Sequence, residues 1–105
     1  MKRGILAVIL AFSGCSALPA ADGNVAEGKK VYADKCASCH ANDGSGNVPR
    51  GKSMKVPDLR APAIQKLTDA ELAKAIVEAE RHPSFKQMAP RDLSNVVALM
   101  RTFRN

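Results

Sequence analysis

A chain of 105 residues has room for one small domain, and its 16 Lys and Arg against 10 Asp and Glu leave a formal charge of +6. The cations, Lys29, Lys30, Lys35, Arg50, Lys52, Lys55 and onward, are spread along the chain with acids between them. That dispersal excludes the dense basic run of a nucleic-acid-binding segment and reads as a solvated surface able to steer an acidic partner.

The first residues have the pattern of an export signal. Met1-Lys2-Arg3 is a short positive start, Gly4 to Phe12 is an apolar stretch too short to span a bilayer as a stable helix, and Ser13-Gly14-Cys15 closes it with small residues. A buried core helix is the competing account, but nothing caps this segment. Phe12-Ser13-Gly14-Cys15 resembles a bacterial lipobox, in which the cysteine becomes the lipidated first residue of the mature protein. The other route is ordinary cleavage within Leu18-Pro19-Ala20-Ala21, which discards Cys15 and leaves a soluble protein. Either route accounts for the odd cysteine of three, and either places the remainder outside the cytoplasm. The expected organisation is a signal peptide over 1–14, a small-residue tether over 15–24 and a folded domain over 25–105. Cleavage before Cys15 removes Lys2 and Arg3 and lowers the charge from +6 to +4.

The domain opens with a helix predicted from about Val25 to Ala37, in which Gly28 and Tyr32 share a face. A glycine on that face predicts close approach of another helix. Cys36-Ala37-Ser38-Cys39-His40 follows, and Cys-x-x-Cys-His is the attachment signature of a c-type haem. Two intervening residues let one turn offer both sulfurs to the porphyrin vinyl groups, with His40 adjoining as an axial ligand to iron. A redox dithiol is a weaker account, because it wants an α/β surround that is missing here. A zinc site from Cys36, Cys39 and His82 lacks a fourth ligand and a second Cys pair.

Ala41 to Lys66, rich in Gly, Asn, Asp and Pro, is a long loop for a compact domain unless a bound group organises it. Met54, Val56, Leu59 and Ile64 are the candidates to pack on that group. Next comes the best-marked helix: Thr68 with Glu71 forms a capping box, Leu67 with Leu72 a hydrophobic staple, and Leu72, Ala75, Ile76 and Ala79 a helical stripe. The last helix starts near Pro90 and carries Leu93, Val96, Val97, Met100 and Phe103 on one face. Ala89 before it is a poor cap.

These features together, from about Val25 to Arg104, resemble a class I cytochrome c. The resemblance implies an all-α fold of three to four helices wrapped around one covalently attached haem. It also implies a crossing of the first and last helices near Gly28, against Leu99 or Met100. A loop carbonyl is expected to orient the proximal histidine, with Pro49 the residue placed to supply it. The departure from the family concerns the sixth ligand. Small class I cytochromes present Met-Pro-x-Phe or Met-Pro-x-Tyr before the last helix, whereas this chain has His82-Pro83-Ser84-Phe85. Alignment without a gap puts His82 on the iron; a slipped loop puts Met88 there instead. His82 is favoured because it keeps the proline and the aromatic in register.

The function implied is one-electron transfer outside the cytoplasm, between redox partner proteins, with no catalytic residue, nucleic acid or small-molecule substrate. A lipid on Cys15 would add a membrane anchor. The rival is a haem enzyme or sensor with a labile sixth ligand, for which Arg81 and Gln87 are the few polar groups on offer. A further possibility is a cytochrome subunit of a larger oxidoreductase.

Overall fold

The computed structural model of the protein describes residues 23–104, so the export signal and Cys15 lie outside the described residues. Among the described residues there are six α-helices, one 3₁₀ turn and no strand, which is the all-α class expected. In chain order they are α1 (Val25–Lys35), α2 (Ala37–His40), α3 (Pro49–Met54), α4 (Pro62–Gln65), α5 (Asp69–Glu78), the 3₁₀ turn Pro83–Gln87 and α6 (Pro90–Arg101).

Helix α1 starts because the Asn24 side chain accepts the Glu27 N–H at 2.9 Å, with Glu27 in the first turn and Lys35 in the last, as the helix dipole favours. It stops two residues earlier than the pattern suggested. Cys36 still donates its N–H to the Tyr32 carbonyl at 2.8 Å, but its φ of −118° departs from the usual helical value, and the chain restarts as the single turn α2. The break redirects the chain between the two cysteines of the motif.

The frame is the crossing of α1 over α6. A Cβ at Gly28 would collide with the Asn95 carbonyl oxygen and come within 3.2 Å of the Leu99 Cβ, so only glycine permits this approach. The close approach foreseen for Gly28 is present, and of the two partners expected it is Leu99, not Met100, that Gly28 faces. Buried Asn95 reinforces the junction by accepting the Asn24 N–H at 2.8 Å through Oδ1. Around it Tyr32, Leu59, Leu72, Val96, Val97, Leu99 and Met100 form one buried cluster. Tyr32 meets Phe103 edge-on at 5.3 Å and donates its hydroxyl to the Ala41 carbonyl at 2.6 Å. Burial holds that phenol well above its usual pKa.

The Ala41–Lys66 segment, foreseen as a loop, contains two short helices, each with proline in its first turn. Asp58 grips Arg60 through two hydrogen bonds of 2.9 and 3.0 Å, and Gln65 donates to the carbonyls of Leu59 and Met100 at 2.9 and 3.0 Å. Helix α5 has the capping box in full: Thr68 Oγ1 accepts the Glu71 N–H at 3.0 Å and Thr68 N–H donates to the Glu71 carboxylate at 2.8 Å. Arg101 pins the start of α5 to the end of α6 by donating to Asp69 at 2.9 Å and to the Gln65 carbonyl at 2.9 Å.

Gly28→Ala is expected to destabilise the fold by about 1–3 kcal/mol, because the added methyl overpacks the crossing. Urea unfolding of the variant against the parent checks it; equal midpoints would show that α1 and α6 do not meet at this residue.

Candidate functional site

A cavity of about 700 Å³ opens between the α2–α3 region on one side and α5 with the 3₁₀ turn on the other, a volume suited to a cofactor-sized ligand. All four residues expected to pack on a bound group, Met54, Val56, Leu59 and Ile64, line it. Its inner wall is shared with the core, since Leu72, Val96 and Met100 belong to both.

Cys36, Cys39 and His40 face this cavity, and His82 faces it from across. The His40 and His82 rings stand 6.3 Å apart, centroid to centroid, at 72°. His82 Nδ1 lies 2.8 Å from the Ile76 carbonyl oxygen. A carbonyl can only accept, so Nδ1 carries a hydrogen, and in the neutral ring the lone pair is then on Nε2. The Phe85 ring packs beside His82 at 4.8 Å and a tilt of 36°. His82 therefore has its tautomer and its orientation set by the end of α5 and the turn that follows.

His40 is poised differently. Burial pushes its pKa below the usual histidine value and the neighbouring His82 pushes the same way, while the Pro57 carbonyl opposes them. The net effect favours neutral imidazole, the form that binds metal. Its Nδ1 is buried with no hydrogen-bond partner. The orienting carbonyl expected from Pro49 is thus misplaced: Pro49 is exposed in the first turn of α3, and Pro57 is the proline on the cavity wall.

Met88 is half-buried, but it is not among the residues lining the cavity; it follows the 3₁₀ turn, its N–H bonded to the Phe85 carbonyl at 3.0 Å. Of the polar groups considered for an enzyme, Arg81 lines the cavity and Gln87 does not. Two other accounts of the cysteines lose support. Burial pushes the Cys36 thiol up to about 11, the reverse of the depressed value that a reactive dithiol needs. Among the described residues no three His, Cys, Asp or Glu side chains gather into a metal-holding group, as a zinc site requires.

The cytochrome c family model matches residues 25–104, nearly all of the described chain. The chain belongs to the cytochrome c family. Comparison with curated proteins and with solved structures finds no significant match. The cofactor of this family is one covalently attached haem c, and its members carry electrons between redox proteins. The residues present fit that group: an apolar cavity, paired thiols at its edge, and a half-buried imidazole of lowered pKa beside them. This cytochrome is accordingly a c-type haem electron carrier. Sequence reasoning missed the Ile76 and Pro57 carbonyls; backbone carbonyls carry no residue-type signal by which they could have been found.

Replacing Cys36 or Cys39 by Ala should prevent double attachment and leave haem-poor, unstable protein. Haem staining of denatured protein with the absorption spectrum checks this, and normal accumulation of holoprotein from both variants would remove the cysteines from the site.

Proposed function

We propose that this cytochrome is a low-potential, one-electron carrier working outside the cytoplasm, with His40 and His82 as the two axial ligands of a haem bound through Cys36 and Cys39. The observation that carries it is the ring separation. Two imidazoles on opposite sides of one metal, each through a bond of about 2 Å, bring their centroids about 6 Å apart, and here they stand at 6.3 Å. Met88, off the cavity wall, has no comparable support.

When bound, the haem accepts and releases a single electron. The chain's part is to fill both axial positions, to exclude water with the apolar wall and to keep the ligands in place when the charge on the site changes. The Ile76 carbonyl, by accepting from Nδ1, makes the His82 ring a stronger donor through Nε2. Methionine paired with histidine raises a c-type potential, so a second imidazole gives a lower one. A carrier is favoured over an enzyme because Arg81, the one polar candidate on the wall, has its guanidinium bonded to the Met54 carbonyl. The export signal supports action on the far side of the cytoplasmic membrane, and Cys15 supports a lipid anchor that would keep the protein beside membrane-bound partners.

His82→Ala should convert a low-spin haem into a high-spin or exogenously ligated one, read from visible and near-infrared spectra. An unchanged low-spin spectrum would move the ligand role to Met88. Cys15→Ser should release the protein from the membrane fraction into the soluble one; unchanged partition after cell fractionation would dismiss the anchor.

A further inference from the structure

His82 enters the cavity from a segment tethered mostly to itself. Between the end of α5 and the start of α6, His82 N–H donates to the Ala79 carbonyl at 2.9 Å, and Phe85 N–H to the His82 carbonyl at 3.0 Å. The His82 Nδ1 contact with Ile76 is equally local. These bonds fix the ring relative to α5, but they do not fix that unit against the opposite wall. Among the described residues one hydrogen bond from this segment crosses the gap: Arg81 Nη1 donates to the Met54 carbonyl, 27 residues earlier in the chain.

Met54 is a firm anchor. It ends α3, which Lys55 closes in left-handed geometry, φ 55°, and Val56 N–H then returns to the Gly51 carbonyl at 3.1 Å. Gly51 in turn seats α3 so tightly on the Cys39 and Gly46 carbonyls that a Cβ there would collide with both. A chain of backbone contacts therefore runs from the Cys39-His40 turn through Gly51 and Met54 to Arg81, the residue before His82. The acceptor is a last-turn helix carbonyl that has no partner within its own helix, and the donor is a guanidinium, which has no acceptor role of its own.

We infer that Arg81 is a positioning residue, which by bonding the Met54 carbonyl ties the wall bearing His82 to the wall bearing His40 and keeps the sixth coordination position closed. This rests on His82 being the distal ligand. Arg81 does not touch the reacting atoms; it limits how far the His82 segment swings away. Loss of the tie lets small molecules compete with His82, and that competition separates a sealed carrier from a ligand-binding haem.

The test is the rate at which cyanide displaces the distal ligand in ferric holoprotein, measured by stopped flow for the parent, Arg81→Ala and Arg81→Lys. Arg81→Ala should take up cyanide about tenfold faster, the factor expected for one charge-assisted hydrogen bond, while retaining the two-imidazole spectrum at rest. Arg81→Lys, which keeps a donor, should restore most of the parent rate. Equal rates in all three, with two-imidazole spectra, would overturn the role of Arg81 and leave His82 as ligand. A changed reduction potential with an unchanged cyanide rate would also overturn it, by reducing Arg81 to a distant charge. A methionine-to-iron band in the parent would remove His82 and this proposal together. If Arg81→Ala does not accumulate with haem, Arg81→Gln is held to the same criterion.

Discussion

The structure depends on apolar surface that the polypeptide does not bury against itself alone. Tyr32, Leu59, Leu72, Val96 and Met100 belong at once to the core and to the wall of the cavity. A domain this small hides a limited fraction of its surface on folding, so a core that is also a cofactor wall joins stability to occupancy. The α1–α6 crossing supplies the rigid side of that wall. Its closeness, set by the missing Cβ of Gly28, brings Val96 and Met100 to where they face the cavity.

On this frame the two histidines are presented by unlike means. His40 sits in a one-turn helix directly after the second cysteine of the motif, and burial lowers its pKa. His82 comes from an irregular connection between α5 and α6, and its ring takes its orientation from a carbonyl in the last turn of α5. That carbonyl lacks an intrahelical partner because the helix ends there. A helix end is thus capped, and the ring proposed as the second axial ligand oriented, by one hydrogen bond. The basic side chains on the cavity wall, Lys35, Arg50, Lys55 and Arg81, outnumber the single acid Glu80 there. Such a balance favours approach of an acidic redox partner toward this side of the molecule.

Much of this was legible in the chain because it depends on local rules. The Thr68–Glu71 box, the stripe on α6 and the Cys36-Ala37-Ser38-Cys39-His40 string each state their geometry within a few residues. The loop residues Met54, Val56, Leu59 and Ile64 were legible as well, being apolar in a polar segment and so in need of something to cover. The errors were of another kind. The break of α1 at Cys36 and the two short helices inside Ala41–Lys66 arise where tertiary contacts override pattern, as at Gly51 against Cys39. Pro49 and Pro57 are alike in sequence, and which carbonyl lies near His40 depends on how the loop folds back.

Sequence by itself therefore determined the helical class, the attachment motif and its family, since spacing of residue types along a chain dictates caps, turns and amphipathic faces. Tertiary structure decided what stands opposite His40. His82 and Met88 are only six positions apart, and both were admissible by type; the direction of the chain after α5 put one on the cavity wall and the other off it. The same folding brought the Arg81 guanidinium to the Met54 carbonyl, a contact between a surface cation and a backbone oxygen that no pattern of residue types encodes.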